Sequence, residues 1–300
     1  MNNKLTCIDK IKKNRIVLKS KNKTVTVPKS ILVFAKILQF LSTKLITLYV
    51  AKLFTTPIKH KIPRRELEMD KNSIQEILII PSLQKEVMIY EYGKSDKKIL
   101  LVHGWSGRGT QLVRFADELI MLGYSTLSFD APSHGKSTGK TTIMSEFIAA
   151  VLEIEKNYGP FEAAIGHSVG GMTLLNSAKR GLQLKKIVII GSGDKVQDIV
   201  EDFIAKLGLK PDVGIHLKKY FEKKLGEEME NYSAYLAAKE VDIPVLVIHD
   251  ENDYEVPVQA GQHIYENLKN GELLLTKNLG HRKILGNPEV IEKAIQFIIK

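Results

Sequence analysis

Ser168 sits in Ala164-Ile165-Gly166-His167-Ser168-Val169-Gly170-Gly171, an apolar run that ends in G-x-S-x-G and continues into Met172-Thr173-Leu174-Leu175-Asn176. A strand that turns sharply into a helix holds the middle residue in a strained conformation with its side chain thrown outward, and small residues two positions to either side let the backbones pass. Ser168 would then stand at the C-terminal edge of a sheet, at a helix N-terminus whose dipole favours developing negative charge. A serine hydroxyl is a weak nucleophile and needs a base that a third group orients. The base candidate is His281, in Asn278-Leu279-Gly280-His281. The acid candidate is Asp253, within His249-Asp250-Glu251-Asn252-Asp253-Tyr254-Glu255-Val256-Pro257. Asp250, Glu251 and Glu255 compete for the acid role; Asp253 is preferred because it lies on the turn and Asp250 at the end of the strand. Acyl chemistry also needs two backbone N–H groups aimed at the developing oxyanion. Val169, directly after the serine, and Trp105, in His103-Gly104-Trp105, would supply them. Trp105, His134 and His167 are the candidate pocket residues, with loop or packing roles as the plainer reading of the two histidines.

The elements that position these residues follow from apolar patterning. Residues 77–80 and 86–92 read as an opening antiparallel pair. The run at 98–103 (KILLVH) is a short strand of the kind buried on both faces. A helix at 109–122, a strand at 125–129, a helix at 141–158, a strand at 161–166, the turn at Ser168, a helix to Arg180 and a strand at 186–191 follow. Strict β-α alternation of this sort predicts a parallel sheet with right-handed crossovers. Residues 194–240 interrupt it with two or three amphipathic helices, at 196–207, 214–225 and 229–238. The sheet resumes with the strand 244–250, a helix at 258–268, a strand at 272–277 and a closing helix at 288–299. An insertion of that size between two strands reads as a helical cap over the C-terminal sheet edge, where open α/β folds bind ligands. Ser168, Asp253 and His281 each follow a strand, so they can converge above that edge.

The first 73 residues differ in character. Residues 1–29 are Lys-rich, with alternating runs at 15–19 and 24–27 that could pair as a weak hairpin. A strongly apolar helix is expected at 31–54, interrupted by Lys36, Lys44 and Lys52. A charge near the centre of a spanning helix costs roughly 2.5–3.5 kcal/mol, so Lys44 argues against a membrane span. The helix is expected to pack on the domain, with an interfacial amphipathic helix as the other reading. Pro57 and Pro63 end the segment, and Arg64-Arg65 mark a linker.

Charge is divided between the two parts. Residues 1–65 hold 16 Lys or Arg against one acid, a net +15, whereas residues 66–300 hold 28 bases and 33 acids, a net −5. A basic arm of this kind fits an anionic surface, membrane or nucleic acid. Nucleic acid is disfavoured because aromatic residues are not interleaved with the lysines. Cys7 is the only cysteine, which excludes an internal disulfide. No Cys/His spacing suggests zinc, and the expected setting is cytoplasmic, with peripheral contact at the inner face of an anionic membrane through residues 1–65.

Over residues 74–300 the chain resembles the α/β-hydrolase family. The likeness rests on the HGW loop at 103–105, D-A-P-S-H-G-K-S at 130–137, G-H-S-V-G, H-D-E-N-D-Y-E-V-P and L-G-H, all in family order. There is one departure: Ser133 stands where many relatives carry the first glycine of D-x-P-G-H-G-x-S, in a loop that lies near their active site. The resemblance implies an α/β-hydrolase fold with a mostly parallel sheet flanked by helices, a small cap at 194–240 and an extra N-terminal helical segment. It implies a triad of Ser168, Asp253 and His281 hydrolysing a small-molecule carboxylic ester, thioester or amide through an acyl-enzyme without a cofactor. Acyl transfer or peptide cleavage on the same triad, and a non-catalytic membrane-associated binding protein on this fold, are the rival expectations.

Overall fold

The computed structural model describes residues 27–300. The expected hairpin runs at 15–19 and 24–27 lie outside the described residues except for Val27. Eight strands form one sheet: β1 (Ile74–Ile80), β2 (Lys85–Tyr92), β3 (Lys98–Val102), β4 (Ser125–Asp130), β5 (Ala163–His167), β6 (Lys186–Ile190), β7 (Val245–Asp250) and β8 (Gly271–Thr276). Their order is β1-β2-β4-β3-β5-β6-β7-β8. β2 runs antiparallel to both β1 and β4, and every pairing from β4 onward is parallel.

In chain order the helices are α1 (Lys29–Leu41), α2 (Thr43–Thr55), α3 (Leu67–Asn72), α4 (Val113–Met121), α5 (Met144–Tyr158), α6 (Val169–Lys179), α7 (Val196–Lys206), α8 (Asp212–Leu225), α9 (Ala234–Ala238), α10 (Val258–Glu266), α11 (Gly280–Lys283) and α12 (Pro288–Ile299). β3 and β6 are apolar after their opening lysines because both of their faces are covered. Side chains alternate between two cores. Leu100, Val102, Ala164, Ile187, Ile189 and Val247 point toward α5 and α6. Ile99, Leu101, Ile165, Val188, Ile190 and Ile248 point toward α4 and α12. The strand period of two therefore fixes which helices each strand residue meets.

Between β6 and β7 the chain leaves the sheet for α7, α8, a short 3-10 turn (Met229–Tyr232) and α9. Gly226, at φ 76°, terminates α8 in the left-handed conformation that a helix C-cap favours. Asn176 of α6 donates to the Tyr232 carbonyl (2.8 Å), fastening this excursion to the helix that follows Ser168.

The N-terminal apolar segment is two helices, not one. Ser42 is extended (φ −165°, ψ 128°), and its hydroxyl accepts from the Leu45 N–H at the start of α2. A Ser-Thr pair offers the backbone this competing N-cap, and here the cap prevails over continued helix. α2 packs on α7 and α8, with Phe54 edge-on to Phe203 (5.1 Å) and tilted against Phe221 (6.0 Å). Gln39 of α1 accepts from the Lys210 N–H (2.8 Å). The segment after α2 is also fastened. The Ile58 N–H donates to Ser106 Oγ (2.9 Å), and Lys59 Nζ donates to the Gly135 carbonyl (3.0 Å). Arg108 donates to the carbonyls of His60 and Lys61. Buried Glu66 accepts from Thr110 (2.9 Å) and lies 3.7 Å from Arg108. Burial raises the Glu66 carboxyl above its ordinary value, against the opposing pull of Thr110, Arg65 and Arg108. The stretch expected to be a linker is thus pinned to the loops after β3 and β4.

Candidate active site

The turn at Ser168 is set by what its neighbours lack. A Cβ on Gly166 would lie 2.6 Å from the Gly170 backbone, and one on Gly170 would lie 2.3 Å from the Val102 carbonyl oxygen. With both positions bare, β5 and α6 approach closely enough for Ser168 to adopt φ 55°, ψ −121°. Such a conformation costs on the order of 1–3 kcal/mol in a non-glycine residue. The surrounding lattice holds it: the Ser168 N–H donates to the Ile190 carbonyl (2.9 Å), and α6 begins at the next residue.

His281 and Asp253 meet beside this turn. Their contact, His281 Nδ1 to Asp253 Oδ2, is 2.7 Å, and both side chains are buried. Asp253 Oδ1 accepts from the amides of Glu255 (2.8 Å) and Val256 (2.9 Å). Burial pushes the Asp253 carboxyl upward, but the hydrogen bond and charge of His281, with these two amides, outweigh it and hold the group below its ordinary value. Asp253 is therefore a carboxylate, which fixes the proton of His281 on Nδ1 and leaves Nε2 for proton traffic. Gly191, directly after Ile190, takes φ 56°, and a Cβ there would sit tightly, 3.2 Å from His281 Nδ1. His167 lies tilted against His281 (4.6 Å between ring centres, 46° between planes) and its Nε2 bonds the His281 carbonyl (3.0 Å). Among the described residues no hydrogen bond joins Ser168 Oγ to His281; such contacts are often loose until substrate is bound.

The competing acids have other employment. Asp250 is fully buried and accepts from the amides of Asn252, Leu279 and Gly280 and from Thr276 Oγ1. Burial raises its carboxyl, and those four donors more than reverse the effect, so the net direction is downward. Asp250 ties the Asp253 turn to the His281 loop without touching His281. Sequence reading missed this role, although an acid closing a strand two residues before an Asn is a recognisable turn former. Glu251 and Glu255 are engaged at the surface by Lys277 and Arg282.

The loop after β3 packs directly on the serine, because a Cβ on Gly104 would lie 3.1 Å from Ser168 Cβ. Its amides are already spent on either side of Trp105. The Gly104 N–H donates to Gln111 Oε1 (2.8 Å), and the Ser106 N–H donates to His134 Nε2 (3.0 Å). Among the hydrogen bonds of the described residues the Trp105 amide makes none, and Val169, as the first residue of α6, has no intrahelical acceptor. Gln111 was not foreseen, since nothing in a lone glutamine seven residues downstream marks it.

The pocket candidates divide. Trp105 is 37% exposed, with its indole stacked on Phe147 (6.4 Å, 18°). His134 is only 1% exposed and has both ring nitrogens occupied, by Ser106 N–H and the Pro132 carbonyl. It braces the Trp105 loop in place of lining an open pocket. His167 is likewise buried, and its Nδ1 has no partner among the described residues. Burial drives the imidazoles of His103, His134 and His167 well down, to about 4, about 3 and about 3, so all three are neutral. A cavity of about 360 Å³ opens between α2, α8 and residues 141–146, but none of Ser168, Asp253 and His281 lines it.

Asp130 is the knot of the facing loop. It accepts from Gly109 N–H (2.7 Å), Tyr90 OH (2.9 Å) and Lys136 N–H (2.6 Å). Ser133 takes φ 68°, the left-handed conformation that glycine adopts without strain, and its hydroxyl donates to the Thr141 carbonyl (2.8 Å). The departure from the family pattern thus leaves the loop in a glycine-like path. Left-handed strain and one buried hydrogen bond are each worth about 1 kcal/mol and here they oppose each other. We expect Ser133→Gly to change stability by less than about 1 kcal/mol. Ser133→Ala, which keeps the strain and loses the bond, should be less stable than the glycine variant by about 1 kcal/mol. Urea unfolding of the two variants checks the order; alanine equal to or above glycine would refute it.

Residues 99–293 match the model of the alpha/beta hydrolase family. Among curated proteins, the monoglyceride lipase of Saccharomyces cerevisiae is 27% identical over 238 residues, 66% of this chain and 71% of that protein. Solved structures with the same fold include an esterase from Rhodococcus sp. ECU1013 (16% identity, TM-score 0.57, covering 76% of this chain and 99% of the esterase). A bacterial membrane phospholipase A aligns at 16% identity and a TM-score of 0.60, over 90% of this chain and 96% of its own. With the family model spanning most of the chain and the sheet order to match, this protein belongs to the alpha/beta hydrolase family.

Proposed function

We propose that the chain is a serine hydrolase that cleaves a carboxylic ester through an acyl-enzyme. The observation that carries the reading is the His281–Asp253 pair, held at 2.7 Å beside the strained turn at Ser168. Ser168 Oγ attacks the acyl carbon as its proton passes to His281 Nε2. Asp253 keeps the imidazole in the required tautomer and stabilises it once charged. The amides of Trp105 and Val169 receive the oxyanion. The proton then passes from His281 to the leaving alkoxide, which departs as the alcohol. Water, deprotonated by the same Nε2, attacks the acyl-enzyme, and collapse of the second tetrahedral adduct returns Ser168 and releases the acid.

The yeast relative supports monoacylglycerols as the first substrates to try. The test combines a fluorophosphonate probe with a chain-length series of p-nitrophenyl esters and monoacylglycerols. We expect the probe to label one residue, identified as Ser168 by peptide mass spectrometry, and turnover to show a chain-length optimum. A folded sample that neither labels nor hydrolyses any member of the series would refute the assignment.

A further inference from the structure

The α1–α2 pair lies before the residues that match the family model, and its outer surface carries many exposed apolar side chains. α1 is apolar on two sides. Leu32, Ala35 and Leu38 face the core. On the other side Val33, Phe34, Ile37, Phe40 and Leu41 are exposed, Phe40 to 89% and Leu41 to 64%. Leu45 and Leu48 of α2 extend the exposed apolar surface. Lys29, Val33, Lys36 and Phe40 follow at i, i+4, i+7 and i+11, so exposed basic and apolar side chains share one row of the helix. Lys44 and Lys52 are exposed on α2 as well. The chain that leads into α1, residues 1–26, carries eight Lys or Arg and one acid, a net +7. No helix among the described residues is long and apolar enough to cross a membrane.

We propose that this face of α1 and α2 docks on an anionic lipid bilayer, with the apolar side chains entering the acyl boundary and the lysines meeting lipid phosphates. Contiguous apolar surface mixed with lysine suits that boundary, where buried area and attraction to anionic headgroups act together. A second copy of the chain fits less well. A twofold contact through this face would set Lys29 and Lys36 of one copy against the same cluster on the other. The charge division agrees, since residues 1–65 carry +15 and the remainder −5, which turns the basic end toward an anionic surface and the body away from it. The cavity between α2 and α8 opens beside the same face and shares Leu48 with it, and its lining mixes Leu48, Leu83 and Phe221 with Lys52, Glu146 and Lys224. The proposal is independent of the chemistry at Ser168.

Sedimentation of the full chain with sucrose-loaded vesicles tests it, comparing phosphatidylcholine alone with phosphatidylcholine containing about 30% phosphatidylglycerol. Binding to the anionic vesicles is expected to be at least tenfold stronger and to weaken with added salt. The triple variant Ile37→Ser/Phe40→Ser/Leu41→Ser should lose at least tenfold in binding. Lys29→Glu/Lys36→Glu should lose most of the anionic preference. Circular dichroism and hydrolysis of a water-soluble short-chain ester should be unchanged in both, and Ser168→Ala should bind vesicles as the wild type does. Absent or equal binding to the two vesicle types, or an unaffected serine triple variant, would overturn the proposal. So would a lipid-free dimer in sedimentation velocity that Phe40→Ser dissociates, which would make the face a self-interface. Intact vesicle binding without any ester turnover would leave docking standing and remove only the hydrolase reading.

Discussion

Ser168→Ala is expected to lower kcat for ester hydrolysis by on the order of 10⁶-fold while the protein stays folded. In the proposed mechanism the hydroxyl is the attacking atom, and without it what remains is binding and the amides of Trp105 and Val169. Alanine is smaller than serine and keeps the turn, so the thermal midpoint should hold or rise as the strained position loses a polar atom. Comparing the two aspartates dissects the rest of the site. In Asp253→Asn the amide oxygen can keep the bonds from Glu255 and Val256. The amide nitrogen must then face His281 Nδ1 and donate to it, which moves the imidazole proton to Nε2 and disables the base. A loss of about 10⁴-fold in kcat with little change in stability is the expected result. Asp250→Asn meets four donors with one acceptor and a donor of its own, so it should destabilise the fold by about 2–4 kcal/mol. If Asp250→Asn stayed stable but lost activity, and Asp253→Asn stayed active, the acid role would belong to Asp250. Steady-state kinetics on a short-chain ester, paired with urea unfolding of each variant, separates these outcomes.

Mild acid should unfold this protein. His103, His134 and His167 are buried and neutral, with pKa values held down to about 4, 3 and 3 by loss of solvent. His249 is displaced in the same direction, burial again leading. In the unfolded chain each imidazole titrates near 6.5, so as pH falls below that value the unfolded state takes up protons that the folded state refuses. Stability contributed by these groups is thus complete above about pH 6.5 and declines until the folded values are reached. At pH 5 the loss is about 2 kcal/mol for each of the three, or on the order of 6 kcal/mol together, comparable with the 5–15 kcal/mol that typical domains possess. His103 and His134 are in contact (4.9 Å between ring centres), so the protonation of one hinders the other and the individual losses do not strictly add. Urea midpoints at pH 7.5, 6.5, 5.5 and 5.0 should fall steadily below pH 6.5. His134→Gln, which offers a donor and an acceptor but no titrating group, should flatten the slope by roughly a third. A midpoint unchanged between pH 7.5 and 5.0 would rule the account out.

Much of this was legible in the residues. The strand and helix alternation from 98 to 299 needed only local periodicity, because strands buried on both faces are continuous apolar runs and their helices carry a 3.6-residue stripe. The Ser168 turn was legible for a similar reason, since glycines at 166 and 170 state a steric requirement that acts within five residues. Chain order also allowed Asp253 and His281 to be chosen, because each follows a strand of a parallel sheet and such ends share one edge. The same periodicity failed at residue 42, where apolar residues resume on both sides of Ser42-Thr43-Lys44 and the outcome depends on one hydroxyl reaching one amide.

What the sequence alone determined was therefore the sheet, the turn and the set of groups able to converge on it. The tertiary structure alone assigned the polar partners. It gave Asp253 to His281 and Asp250 to the loops beneath, spent the amides of Gly104 and Ser106 on Gln111 and His134, and gave that of Trp105 no hydrogen bond among the described residues. It also fastened one side of α1 and α2 to the protein and left the other side bare. The reason is physical. Backbone geometry and apolar burial act over short stretches with fixed periods, whereas a hydrogen bond between residues far apart in the chain depends on distances set to a few tenths of an ångström by the whole packed core.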